Sequence, residues 1–241
     1  MKNPTHNLII DTSTAETLLA ISNEDKIIDD HSWVSNKNES KTLLLNLDKL
    51  LIKNNLNLDS INSILTTIGP GGFSSLRIGL STAKSIAITK SIKLIPIPSL
   101  LVAAYELIKS SKKYVSIIKC SKSTYYLKDY SNLTINEIIS EKEYSSFEVV
   151  EINKIHSYIQ KNYMIISYDY DLIYNNNDIK LEKNIIKTKN KIESIMHIGK
   201  IFDEKYNFNK PTNINPIYAN SGQISSAIKL KNKGVKNWKK H

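Results

Sequence analysis

An α/β fold of two related halves is what this sequence predicts, and three features predict it. The first hundred residues alternate short β-branched runs with two stretches of helical period, in the order β-β-β-α-β-α-β. A glycine-rich junction, Gly69-Pro70-Gly71-Gly72, separates one of those strands from the helix that follows it. A blurred copy of the same order begins near residue 114.

Residues 7–13 (NLIIDTS) form an apolar run ending in Asp-Thr-Ser, which suits a buried strand and its turn. Residues 17–22 and 26–34 read as strands around an Asn23-Glu24-Asp25 turn, giving three adjacent antiparallel strands. Over residues 40–54 the period changes. Leu43, Leu44, Leu47, Leu50 and Leu51 recur at helical spacing as one apolar stripe, while Leu45 and Ile52 lie off it and imply a second buried face. Residues 61–68 are the next strand, 74–90 the next helix, and 94–97 a strand punctuated by Pro96 and Pro98. Residues 99–108 read as a helix joining the halves. Strands are then expected at 114–119, 124–130, 147–152 and 164–168, a weak helix at 154–161 and a strong final helix at 191–206. The polar stretch 169–190 reads mostly as loop, and Pro216-Ile217-Tyr218 as a seal on the core.

This order is that of an actin-like (ASKHA), ribonuclease-H-like fold, with mixed sheets flanked by helices. The expected organisation is one lobe over 1–98, a divergent lobe over 99–226, and a basic, flexible tail over 227–241. A hydrophobic content of 41% in 241 residues supports a sizeable core. No run approaches the roughly 20 apolar residues of a membrane span, the start carries no signal-peptide pattern, and a single cysteine, Cys120, excludes an intrachain disulfide. These features predict a cytoplasmic protein.

The net charge of +10 fits either nucleic-acid contact or a composition rich in Lys, Asn, Ile and Tyr from AT-rich codons. Arg77 is the only arginine. From Lys229 onward six lysines and Trp238 make a tail that either grips single-stranded nucleic acid or is merely solvated.

The run from Gly69 to Gly79 carries the strongest chemistry. Glycines admit close approach of another group, and the helix start offers free N–H groups to an anion, with Ser74 or Ser75 as cap. The run is equally a tight β–α connection. It is not a Walker A loop, for no Gly-Lys-Ser/Thr closes it. Arg77 would serve either a ligand or a carboxylate such as Asp11. Asp11-Thr12-Ser13 would either face a metal–phosphate or cap a strand. Gly79, Ala83 and Ala87 recur every four residues beside Leu76 and Leu80, a smooth strip for either the chain's own sheet or a helix of another subunit. The histidines (His6, His31, His156, His197, His241) show no metal-ligand spacing, and no nucleophile elbow is present, so no catalytic constellation is expected.

Ile9-Ile10-Asp11-Thr12-Ser13, the helix at 41–51, the run 69–79 and Pro216-Ile217-Tyr218, in this order and spacing, resemble the TsaB (YeaZ) family of bacterial threonylcarbamoyladenosine biosynthesis proteins. The Gly-Phe-Ser-x-Leu-Arg-Ile-Gly stretch ending at Gly79 is the specific part, and the likeness is good over about residues 7–105. The resemblance implies a non-catalytic scaffold with an actin-like fold. It implies a catalytic paralogue, TsaD, that modifies the adenosine beside the anticodon of tRNAs reading codons that start with A. It also implies a small ATPase, TsaE, tRNA held through the complex, and self-association when the partner is absent. ATP and a metal ion would be held by the partner subunits and none by this one. The contact helices carry over to residues 41–54 and 74–90, with Leu44, Leu45, Asp48, Ile52, Leu76, Gly79, Leu80, Ala83 and Ala87 at the interface. Asp11, Thr12, Ser13, Gly69, Gly71, Gly72, Ser74 and Arg77 are the positions nearest any nucleotide or phosphate. The family's usual His-Ser is Glu39-Ser40 here, its Phe-Thr-Gly-Leu-Arg is Phe73-Ser74-Ser75-Leu76-Arg77, its second-lobe Asp-Ala-Arg is Cys120-Ser121-Lys122, and Ala219-Asn220 replaces a late Arg. These departures bear on nucleotide binding more than on the fold. The rival expectation is an ATP-handling actin-fold transferase acting by itself, which would need a second carboxylate facing Asp11.

Overall fold

The structure, a computed structural model, describes residues 5–34, 38–108, 112–121, 123–140, 145–169, 185–206, 208 and 210–219. The expected tail at 227–241 and most of the loop at 169–190 lie outside the described residues.

Two five-stranded sheets are laid down in the same way. The first consists of β1 (His6–Asp11), β2 (Glu16–Asn23), β3 (Lys26–Val34), β4 (Ile61–Gly69) and β5 (Lys93–Pro98), in the order β3-β2-β1-β4-β5. The second has β6 (Tyr114–Lys119), β7 (Thr124–Asp129), β8 (Glu148–Glu151), β9 (Met164–Ser167) and β10 (Ile185–Lys187), in the order β8-β7-β6-β9-β10. In each, three antiparallel strands are followed by two that add in parallel. Parallel strands need crossovers, and helices lie in those from β1 to β4, β4 to β5 and β6 to β9. The mixed sheets and flanking helices are those of an actin-like α/β fold, and the two halves share one topology.

Helix α1 (Glu39–Lys53) and α2 (Phe73–Lys90) cover the outer face of the first sheet. Leu43, Leu47, Leu50 and Leu51 of α1, with Leu80, Ala83, Ile86 and Ala87 of α2, meet Leu8, Ile10, Leu19 and Ile21 from the strands. The alternate strand residues Ile9, Leu18 and Ala20 face the other way, towards α3 (Ser99–Ala104) and α6 (Lys191–Lys205). That two-sided burial explains why β1 and β4 read as near-continuous apolar runs. Helix α3, buried at all six positions, contacts β4 and β5 of one sheet and β6 and β9 of the other. The second sheet turns Tyr114, Ile118, Tyr126 and Ile166 towards this shared core. Its Val115, Ile117, Tyr125 and Leu127 face α5 (Ile152–Gln160).

Helix α6 follows the second sheet yet packs back on β5 and α3. Gly199 makes this possible, since a Cβ there would come within 3.0 Å of Leu65 Cγ. Lys93 Nζ and Asp203 Oδ1, 2.9 Å apart, tie the same pair of elements. The segment after residue 211 also returns to the first sheet: the Ile217 N–H donates to Ile68 O at 2.7 Å, and Ile214 is buried. Pro216-Ile217-Tyr218 thus seals that core.

Three local expectations change. Residues 99–108 are an α-helix only to Ala104, then a 3₁₀ turn at Tyr105–Leu107. The sequence reading missed α4 (Ile135–Ile138), a single turn with a Thr134/Glu137 capping box. Leu45 and Ile52 form no second buried face, and Leu44 leaves the stripe too: all three are exposed, because α1 lies on the sheet by one side only.

Candidate functional site: a filled cleft and an exposed helical face

The ends of β1, β4, β6 and β9 converge between the two sheets. Asp11 closes β1 there and is fully buried. Its Oδ1 accepts three hydrogen bonds, from Ser13 N–H at 2.8 Å, Ser13 Oγ at 2.7 Å and Thr67 Oγ1 at 2.7 Å. Its Oδ2 faces the Lys191 ammonium at 2.6 Å. Burial acts to raise the Asp11 carboxyl, but Lys191 and the Ser13 hydrogen bonds outweigh it and hold it below the ordinary carboxylate value.

Asp169, just after β9, is the second buried carboxylate. It accepts from Lys119 N–H at 3.2 Å at the end of β6 and from Ala15 N–H at 3.5 Å in the β1–β2 turn. Burial raises its carboxyl above the ordinary value; the Lys119 hydrogen bond and the Lys191 charge offset this only in part. Lys191 completes the group. It donates to Thr14 Oγ1 at 3.1 Å and lies over the Tyr168 ring at 5.3 Å.

The glycine run clasps this group from outside. A Cβ on Gly71 would fall 2.9 Å from both the Cα and the carbonyl carbon of Ser13, and the Gly72 N–H donates to Ser13 O at 3.2 Å. About two turns on, a Cβ on Gly79 would fall 2.8 Å from Thr12 Cγ2. Gly69 has φ +108 and lies against the Ile217 backbone. The glycines therefore serve the tight β–α connection, with the chain's own hairpin as the group that approaches. Neither Ser74 nor Ser75 caps α2; Gly72 occupies the cap position. Arg77 does not pair with Asp11 either. It is exposed, with its guanidinium 5.4 Å from the Phe73 ring, because it leaves α2 on the side away from the cleft.

Among the described residues no group of three His, Cys, Asp or Glu side chains could hold a metal ion. His197 stacks on Tyr105 at 5.8 Å, and Cys120 lies in the β6–β7 turn. Glu39, where the family's histidine would stand, is buried and accepts from Thr17 Oγ1 at 2.6 Å, fastening α1 to β2.

The second candidate surface is the outer side of α1 and α2. Leu44 (54% exposed), Leu45 (51%) and Ile52 (65%) stand on α1 with the exposed Asp48. Phe73 and Ile88 stand exposed on α2. Beside them, a groove of about 380 Å³ is lined by Phe73, Arg77, Leu80, Lys84, Pro216 and Tyr218, with the Phe73 and Tyr218 rings 4.9 Å apart. The other expected interface residues lie inward in the isolated chain. Leu76, Gly79, Leu80, Ala83 and Ala87 are buried in this chain's own core, because the small-residue strip of α2 is what lets it approach Thr12 and the sheet.

The family model described as "TsaD: tRNA N6-adenosine threonylcarbamoyltransferase" matches residues 33–185. A protein named tRNA threonylcarbamoyladenosine biosynthesis protein TsaB, from Buchnera aphidicola subsp. Acyrthosiphon pisum (strain APS), is 24% identical over 185 residues, 76% of this chain and 84% of the relative. The chain belongs to this family, on its TsaB/YeaZ side. The protein of the same name from Buchnera aphidicola subsp. Baizongia pistaciae (strain Bp) is 33% identical over 97 residues, 39% of this chain and 44% of the relative. In fold, the chain is similar to the solved structure "YeaZ from Pseudomonas aeruginosa", with TM-score 0.61 and 13% identity over 89% of this chain and all of that one. Among the described residues, no helix is long and apolar enough to cross a membrane.

Sequence reasoning found Asp11 but missed Asp169 and Lys191. No spacing flagged either residue. The one available signal was a lysine at the first position of a helix, the end where the dipole disfavours a cation.

Proposed function

We propose that this chain acts in threonylcarbamoyladenosine formation on tRNA as a non-catalytic scaffold, docking a catalytic TsaD-type paralogue through the outer face of α1 and α2. The observation that carries this is the exposed apolar set Leu44, Leu45 and Ile52 on α1, with Phe73 and Ile88 also exposed on the neighbouring α2. Aliphatic side chains displayed on two adjacent packed helices are what a helix-on-helix interface buries at its centre. Asp48 stands on the same side of α1 and belongs to the polar rim of that contact. On this reading TsaE and tRNA join through the complex. ATP and a metal ion are held by the partner subunits, and the free chain associates with itself through the same face.

The lone-transferase reading has one observation in its favour, the second buried carboxylate Asp169. The geometry weighs against it, because Lys191 stands on Asp11 and the N–H at the start of α2 is taken by Ser13 O. The test is co-purification with the catalytic paralogue of the same genome and a threonylcarbamoyl-transfer assay with and without this chain. The expected result is a stable complex and activity that depends on this chain, both lost in Leu45→Glu/Ile52→Glu. ATP hydrolysis by this chain alone, abolished by Asp11→Asn, would overturn the scaffold reading in favour of the transferase.

A further inference from the structure

We infer that the cleft between the sheets, where an actin-like fold would be expected to take a metal-bound phosphate ligand, is occupied by this chain's own Lys191 as a built-in cation. The cleft is thereby a fixed joint between the lobes rather than a ligand site. This stands independently of how α1 and α2 dock.

The cation half of such a ligand is already replaced, and the chain's own hairpin lies against the glycine turn. On the cation side, the Asp11 Oδ1 lone pairs are taken by three donors, and only Oδ2 points at a positive group, the Lys191 ammonium at 2.6 Å. An ammonium has three protons to place. Lys191 donates one to Thr14 Oγ1 at 3.1 Å, forms an ion pair with Asp11 Oδ2 and lies 5.3 Å from the centre of the Tyr168 ring. Its side chain is only 13% exposed. On the anion side, the first free N–H of α2, on Gly72, donates to Ser13 O. The flanking space at Gly71 is filled by Ser13 backbone. A phosphate seated at Gly71 would have to displace the hairpin that carries Asp11.

The placement of Lys191 is otherwise unfavourable. It is the first residue of α6, where the helix dipole repels a cation. A buried carboxylate in contact, with a second close enough for their charges to interact, accounts for a lysine held there. The arrangement also crosses the lobes. Asp11 and Thr14 belong to the first sheet and its β1–β2 turn, Asp169 follows β9 of the second, and Lys191 opens the helix that returns to β5. Asp169 adds its own crossing bond from Ala15 N–H. Four segments are thus fixed around one ammonium, and a hinge at this point would have to break all of these contacts together.

The test removes the internal cation and offers an external one. Manganese(II) is titrated into the full chain and into Lys191→Ala, following free manganese by paramagnetic resonance and stability by thermal melting. Wild type is expected to bind no manganese at millimolar concentration. Lys191→Ala is expected to gain a saturable site, tighter than wild type by on the order of tenfold or more, that is lost again in Lys191→Ala/Asp11→Asn. Wild-type binding as tight as the variant's would overturn the inference, as would a folded Lys191→Ala with no gain. Should Lys191→Ala not fold, Lys191→Met keeps the stem on Tyr168 and is judged by the same criteria. If neither folds, wild type alone decides: a melting midpoint unmoved by manganese or magnesium–ATP supports the inference, and a raised midpoint refutes it.

Discussion

Gly71 and Gly72 are chain neighbours, yet the structure predicts a large loss of stability for alanine at the first and almost none at the second. At Gly71 the new Cβ would sit 2.9 Å from Ser13 Cα and from its carbonyl carbon. Carbon atoms prefer about 3.5–4.0 Å, so both contacts are short by at least about 0.6 Å. The obstructing atoms are backbone, and they cannot swing away as a flexible side chain would. Ser13 is also pinned by its two hydrogen bonds to Asp11 Oδ1 and by the Gly72 N–H. Overpacking of this kind costs about 1–3 kcal/mol, and the rigid setting puts Gly71→Ala at the upper end. For a chain of this size that is a drop of about 6–12 °C in melting midpoint. At Gly72 the nearest atom would be Ser75 Oγ at 3.8 Å, and φ is −60, so alanine fits. Reduced unfolded-state entropy contributes about 0.4–1 kcal/mol in favour, offset by alanine's poorer service as a helix N-cap, for a net change within about 0.5 kcal/mol. Thermal and urea melts of the two variants, read against wild type, measure the contrast. A Gly71→Ala midpoint within about 2 °C of wild type, or equal losses in the two variants, would refute the claim that the hairpin fills the glycine junction.

The two cleft carboxylates should respond to pH in opposite directions. Asp11, held below its ordinary value of 3.8, contributes stability that is present above that pH and lost as pH falls through the lowered folded value. Asp11→Asn is therefore expected to cost about 3–5 kcal/mol at neutral pH, a deficit that narrows below pH 3.8. Asp169 is raised, so wild type loses stability from it as pH climbs from 3.8 towards the folded value. Asp169→Asn should gain on wild type over that window, and urea midpoints moving the same way for both variants would contradict the assignment. On the helices, Ile52→Glu should leave the melting midpoint within about 0.5 kcal/mol of wild type while abolishing association with the paralogue in size-exclusion chromatography. Ala83→Leu, overpacking a fully buried site, should cost about 1–3 kcal/mol of stability in the isolated chain. Removal of residues 227–241, with their six lysines, tests whether the tail grips RNA: a gripping tail gives weaker tRNA retention by the assembled complex when lost, and a solvated one leaves it unchanged. Loss of a gripping tail should also flatten the salt dependence by about 0.7 per lost phosphate contact; an unchanged salt slope would show that the tail makes none.

The sequence by itself determined the element order and the class of fold. Leu43, Leu47, Leu50 and Leu51 announce α1 because a helix must bury one stripe, and the apolar, β-branched stretches of β1 and β4 announce strands. It also marked Gly69–Gly79 as a place of close approach, since glycine at such density has few other uses. Only the tertiary structure decided what approaches. The occupant is the chain's own Thr12–Ser13 hairpin, and the small-residue strip of α2 therefore turns inward, leaving Leu44, Leu45 and Ile52 on α1 as the outward apolar set. Asp169 and Lys191 could not be found in the same way. Periodicity reports which face of one element is buried, whereas a salt bridge between the end of β1 and the start of α6 depends on how β9 and α6 come back to the first sheet. That return is set by the packing of α3 and Gly199, contacts that the local sequence around Asp11 does not encode.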